Sequence, residues 1–424
     1  MRPSRPVPAH PRSLPCSFPM RRELPPTAGL PLAAADIRKK CLVPFDEGLS
    51  AWLGIPLPIL VCSGTAALII ALTTLKRRSP QRSRILLPAY TCPLAVLAAH
   101  FVPGTEIVPC DTAPNSINLS PEALDSQCDE RTLAVVVTHL GGRVADVETA
   151  VCIARSRGAA VVEDAAQSMG ARSGGQSLGL FSDAGFFSLA AGKGLTTFEG
   201  GVLFSRDPEL HAELAEDAAR ILSCSGWKSF LWNARRIAEL LLYGFFYRPQ
   251  RLALIYGDRL RRELDRNDEI AAVGDFFTLD DIPLHKPDAF RLRLAANALR
   301  RLPDFLAEGV RQARRRIPVL LRAGAERVLD DFPGDSGVWP FLMVLMPDQA
   351  GRDAVLSRLW RQGLGVSKLF VHALPDYSYL AGRMSVSADC PSARDLAGRM
   401  FTITNSPWLD DETFARIVEE GLRP

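Results

Sequence analysis

The nine cysteines of this 424-residue chain are an odd number, scattered from Cys16 to Cys390, and no two stand in a Cys-x-x-Cys pair. That argues against a disulfide framework and against a cysteine-rich zinc site, so reduced thiols and no metal centre are expected. Charge of a single sign is also missing. The 50 basic and 47 acidic side chains leave a net charge of +3, with arginine spread along the chain, and this gives no footprint for nucleic acid. No stretch approaches the roughly 20 apolar residues that cross a bilayer. The first 28 residues lack the apolar run of a secretory signal, which about 7–15 residues would supply. A cytoplasmic protein is therefore expected, and the proline- and arginine-rich residues 1–28 are expected to form a flexible arm. No internal repeat is visible.

What is present is a sizeable core, with 47% hydrophobic residues. From residue 84 short apolar strands such as "RILLPAY", "EIVPCD", "TLAVVVTHL" and "AAVVEDA" alternate with helical segments capped by Ser120, Asp146 and Asp207. "AGFFSLA" and "GGVLFS" follow as two more strands. Strands that are apolar throughout and separated by helices predict an α/β fold with a mostly parallel sheet covered on both faces. The expected organisation is a large domain over 29–280, then a helix and a small C-terminal α+β domain over 281–424. Within the large domain, residues 222–280 mix apolar and basic side chains at helical spacing. They predict a helical insertion that packs on its own domain or a partner subunit. The alternative is an interfacial helix pair on an anionic membrane surface.

The tract from 161 to 201, "VVEDAAQSMGARSGGQSLGLFSDAGFFSLAAGKGLTTFEGG", holds a single lysine among small neighbours. Asp164 ends one strand and Lys193 follows another, so both are expected in the crevice at the carboxyl edge of the sheet. A lysine amine in an apolar pocket has a lowered pKa and forms Schiff bases, and an acid opposite it keeps a pyridine nitrogen protonated. Together they suit pyridoxal 5'-phosphate. "VCSGTAALIIAL" supplies a phosphate cradle, because Ser63, Gly64 and Thr65 precede a helix whose first N–H groups are free. Ser188, five positions before Lys193, adds a hydroxyl. Each of these taken singly is also an ordinary cap, turn or loop residue.

These motifs, with "VVVTHLGGRVADVETAVCIARSRGAAVVEDAAQSMGA", "FFSLAAGKGLTTFEGG" and the closing "ADCPSARDLAGRMFTITNSPWLDDETFARIVEEGL", resemble the DegT/DnrJ/EryC1/StrS aminotransferases from about residue 24 onward. The resemblance implies the fold type I of pyridoxal-phosphate transferases (aspartate aminotransferase-like), with a seven-stranded, mostly parallel sheet. It implies Lys193 as Schiff-base lysine and proton shuttle, and Asp164 on the pyridinium nitrogen. Ala166 would lie under the ring, and Gln167 would reach the phenolic oxygen or the sugar. Ser63, Gly64, Thr65 and Ser188 would hold the phosphate. His139 matches a family histidine near the pocket, or is a strand-end histidine bonded to backbone. His372 stands where the family approaches substrate.

Three departures stand out. Cys92 occupies the place of an aromatic over the ring, so Tyr90 or nothing stacks there. Gly141 replaces a tyrosine. "PLHKPDAFRLRLAAN" replaces the run whose asparagine completes the neighbouring subunit's phosphate site, leaving Lys286 or Arg291 as substitutes. The implied activity is amino transfer from L-glutamate to a keto group on a nucleotide-linked sugar, in cell-surface polysaccharide or secondary-metabolite biosynthesis, by a homodimer. The alternative is a member without that activity, either dehydratase-like or a regulatory scaffold. The intact Lys193 argues against both.

Overall fold

The computed structural model describes residues 21–38, 42–222, 227–279, 282, 284–385 and 389–422. Seven short strands build the main sheet: β1 (Ile59–Val61), β2 (Arg84–Pro88), β3 (Glu106–Cys110), β4 (Thr132–Thr138), β5 (Ala160–Asp164), β6 (Ala184–Ser188) and β7 (Gly201–Phe204). Their order across the sheet is β1-β7-β6-β5-β4-β2-β3. All run parallel except β7, which is antiparallel to both neighbours. Strands β4 and β6 are buried at every position, as a sheet covered on both faces requires.

Helix α1 (Gly64–Arg78) packs on one face through Leu68, Ile70, Ala71 and Leu72. The opposite face carries the cluster of Leu49, Phe187, Val202 and Ala295. The predicted caps form. Ser120, Asp146 and Asp207 each accept a backbone N–H from the first turn of the helix that follows.

The insertion is helical. It contains α2 (Trp227–Phe246), a π-helical turn at Ala253–Gly257, and short helices at Asp258–Asp265 and Glu269–Val273. A helix at Ala289–Leu299 is then followed by α3 (Leu302–Arg322), the chain breaking where Pro303 begins the second helix. The small domain is an antiparallel sheet of β8 (Arg327–Val328), β9 (Phe341–Leu345), β10 (Val366–Ser367) and β11 (Met400–Thr404), in the order β8-β9-β11-β10.

Most of the expected flexible arm, residues 1–20, lies outside the described residues. Its last eight residues are packed, which corrects the expectation there. The Leu24 N–H donates to Gly363 at 2.8 Å and the Ala28 N–H to Pro340 at 2.7 Å. Glu23 is buried and pairs with Arg261 of the insertion at 2.8 Å. A buried leucine and a buried ion pair tie this segment down where its composition alone does not.

Candidate active site

The carboxyl ends of β2, β4, β5 and β6 share one edge, and α1 begins beside it. A cavity of about 540 Å³ opens there, within the range of small-molecule sites. Its walls include Ser63, Gly64, Thr65, Cys92, His139, Asp164, Ala166, Gln167, Ser188 and Lys193. Ten of the eleven residues singled out from sequence are thus brought together. His372 is not. It lies in a separate groove on the small domain with Arg352, Lys368 and Asp376, and its backbone N–H donates to the Tyr377 hydroxyl. The cavity wall nearest to it in sequence is Phe370.

Each wall has a local cause. Ser63 caps α1, its Oγ accepting from Ala66 N at 3.0 Å, so the first turn presents its N–H groups to the cavity. A Cβ on Gly64 would lie 3.1 Å from the Ser188 Cβ, so the two phosphate-side elements approach closely because residue 64 has no side chain. Asp164 ends β5 opposite Thr138 and Phe186 of the neighbouring strands. Its Oδ1 accepts from Ala166 N at 3.0 Å. Asp164 is buried and, among the described residues, forms no ion pair. Burial raises its carboxyl pKa, with the Ala166 N–H, Lys193 and His139 acting the other way. Burial also lowers the Lys193 amine, against the pull of Cys92 and Asp164. A buried acid without a cationic partner and an amine pushed toward its neutral form are what a protonated ring nitrogen and an aldehyde require of a site.

Lys193 sits on a tight turn joining β6 to β7. Its N–H donates to Ala190 at 3.2 Å, and Ala190 bridges Phe198. Gly192 and Phe198 both have positive φ, +80° and +67°. For Phe198 that is a strained conformation, which neighbours must hold. The holders come from several elements. Arg291, buried, donates to the carbonyls of Thr197 and Glu199. The Gly192 N–H donates to the Tyr243 hydroxyl of α2 at 3.2 Å. Arg236 and Trp232 of α2, with His285, gather around the Glu199 carboxylate.

Three departures from the motif find their reasons. Tyr90 does not stack over the cavity. Its hydroxyl bonds the Phe370 backbone and its ring meets Phe370 edge-on at 5.7 Å. Aromatic walls come instead from Phe186, Phe198, Phe276, Phe277 and Phe370. Gly141 has φ +60°, and a Cβ there would strike Met343 at 2.6 Å, so the small domain fills the space of the missing tyrosine. Arg291 is committed to the Lys193 turn of its own subunit, and Lys286 is exposed.

His139 lies on the cavity floor with both ring nitrogens occupied. Nδ1 accepts from Ala145 N at 3.0 Å, so Nε2–H donates to Glu163 at 3.0 Å. It is at once a histidine beside the pocket and a strand-end histidine bonded to backbone, extended by a buried carboxylate. Burial alone would raise Glu163. The His139 ring, the Gly179 N–H and the Ser182 hydroxyl outweigh it and hold the carboxyl below its usual range. Gln167 Oε1 accepts from Gly141 N at 2.7 Å, which orients its amide at the cavity wall.

Phe276, Phe277, Glu199 and Arg236 escaped the sequence reading. The paired phenylalanines in the polar stretch "GDFFTLDD" were the one visible signal.

A sequence model of the DegT/DnrJ/EryC1/StrS aminotransferase family matches residues 39–250. Protein MosB of Rhizobium meliloti is 37% identical over 172 residues, 41% of this chain and 33% of MosB. L-glutamine:2-deoxy-scyllo-inosose aminotransferase of Streptomyces fradiae is 35% identical over 168 residues, 39% of this chain and 38% of that enzyme. The chain thus spans between a third and two fifths of the length of these curated relatives. The solved structure of Spr1654 from Streptococcus pneumoniae in its PLP form, described as a putative sugar aminotransferase, superposes with a TM-score of 0.69 at 16% identity, covering 94% of this chain and 98% of that one. That likeness is one of fold.

Proposed function

Because the chain belongs to the DegT/DnrJ/EryC1/StrS aminotransferase family, a family of pyridoxal-phosphate enzymes, we propose that it moves an amino group from L-glutamate or L-glutamine onto the keto group of a nucleotide-linked sugar. The observation that carries this reading is the meeting of Lys193, Asp164 and the start of α1 in one cavity.

The residues present fit the cofactor. Ser63, Gly64, Thr65 and Ser188 would face its phosphate, Asp164 its ring nitrogen, and Lys193 its aldehyde. When bound, pyridoxal phosphate supplies an electron sink for the carbanion left as a substrate C–H bond breaks. The rest falls to the chain. Asp164, kept from water, holds the ring nitrogen charged. Lys193 takes a proton at Nζ and returns it, a task suited to an amine that burial pushes toward its neutral form. The phenylalanine walls make the surroundings of that transfer apolar.

The test is a mass-spectrometric screen of keto-sugar nucleotides with glutamate and with glutamine as donors. An aminated product formed by the parent chain and lost in Lys193→Ala supports the reading. A Lys193→Ala protein that turns over at the parent rate overturns it.

A further inference from the structure

Helix α2 turns its polar side inward. Trp232, Arg236, Glu239 and Tyr243 lie on the face toward the Lys193 turn, tied by the contacts to Glu199 and Gly192 and by an Arg236–Glu239 ion pair at 2.6 Å. The opposite face carries Trp227, Phe230, Leu231, Leu241, Leu242 and Phe245, each at least 40% exposed, with Trp227 at 70%. Trp227, Phe230 and Leu231 at the start and Leu241, Leu242 and Phe245 at the end fall in one sector of about 120° at 100° per residue, with the exposed Ala234 and Ala238 between them, so they lie on one side of the 20-residue helix, about 30 Å long. An ordinary surface helix shows the reverse arrangement. Leu254 and Ile255 continue the exposed apolar surface just beyond the helix. A patch of this size calls for an occupant.

The charges around it say which. From Trp227 to Arg262 inclusive stand eight basic residues and two acids. Arg235, Arg248 and Arg259 are exposed, and Arg251 lies over the Phe245 ring at 3.9 Å. A second copy seated on this face across a two-fold axis would set this basic rim against its own image. An anionic bilayer surface neutralises the rim and takes up the stripe at once. No helix among the described residues is long and apolar enough to cross a membrane, so contact of this kind lies in the plane of the interface.

We propose that α2 docks the protein on an anionic lipid surface, with the stripe from Trp227 to Phe245 in the headgroup region and the arginines around it on lipid phosphates. The face that holds the Lys193 turn is then held away from the lipid.

Cosedimentation of the full chain with vesicles tests this. The chain is expected to pellet with phosphatidylcholine–phosphatidylglycerol vesicles, and much less with phosphatidylcholine alone. Leu242→Glu with Phe245→Glu should lower the partition by more than about tenfold. Arg248→Glu with Arg259→Glu, which touches no apolar packing, should lower binding to the anionic vesicles only. Circular dichroism confirms that both variants are folded. A parent chain that stays in the supernatant with anionic vesicles overturns the proposal. So does a stripe variant that pellets like the parent. Mass photometry reads the competing occupant: a parent dimer that the stripe variant turns into monomer, with no vesicle binding by either, assigns the stripe to a second copy and overturns the lipid reading.

Discussion

The carboxyl edge of the β4–β5–β6 sheet and the helical insertion over 222–280 meet at Lys193, and they are built on opposite plans. At the edge, apolar strands are buried on both faces and the few polar side chains stand at strand ends, where the ladder stops. In α2 of the insertion, Trp232, Arg236 and Tyr243 point inward to brace a turn, while Trp227, Phe230, Leu242 and Phe245 point out. The edge carries the chemistry, while the insertion carries the support. Substitutions should therefore separate the two regions. Those at the edge should remove turnover with little effect on folding, and those in the insertion should change stability or geometry with the chemistry retained.

The largest effect is expected at Lys193. Lys193→Ala should lower turnover by at least about 10²–10⁴-fold, since positioned proton transfer is worth that much. Its melting temperature should not fall, because an amine disfavoured by burial is lost. Assay and thermal melt together check this. Asp164→Asn comes next, with a loss of about 10²-fold as the ring nitrogen loses its counter-charge. The same variant should bind added pyridoxal phosphate with an altered absorption spectrum.

In the insertion the expected readout is stability against pH. Burial raises the Asp275 carboxyl from its ordinary 3.8 to about 6, against the hydrogen bonds from Tyr377 and the Val371 N–H. The folded state therefore binds the proton more tightly than the unfolded state between these values. Stability from this group is greatest below pH about 4, falls as pH rises, and levels off above about 6. The span is about 3 kcal/mol. Asp275→Asn should flatten that slope in melts taken between those pH values. A slope unchanged in the variant would show that another group sets it.

The smallest effect belongs to Tyr243→Phe. It leaves the Gly192 N–H without its acceptor, at a cost of about 1 kcal/mol. A fall of about fivefold in kcat with the fold intact would place α2 among the elements that position Lys193. A kcat equal to the parent's would reduce the insertion to packing alone.

Local chemistry made the edge legible. A cap serine before a helix, a carboxylate closing an apolar strand and a lone lysine between glycines each have a meaning that does not depend on distant neighbours. That is why Ser63, Asp164 and Lys193 could be named together, along with the parallel sheet that aligns them. The open choices and misreadings occurred where a distant partner decides. Of the two outcomes open at Cys92, Tyr90 or nothing over the ring, the second holds, because Tyr90 is turned aside by the backbone of Phe370, 280 residues away. His372 lies only two residues from the cavity wall, yet Tyr377 and the small-domain groove claim it. Residues 21–28 have the composition of a loose arm and are held by Gly363, Pro340 and Arg261.

The amino-acid sequence by itself determined the order of strands and helices, the caps and the reactive pair. Periodicity, backbone propensity and the chemistry of single side chains act within a few residues of one another. Tertiary structure alone decided which phenylalanines wall the cavity, that His139 spends both nitrogens on its own chain, and that α2 faces outward with its apolar side. Those outcomes depend on which long-range partner arrives first at a buried polar atom, and an unpartnered group there costs more than any local preference returns.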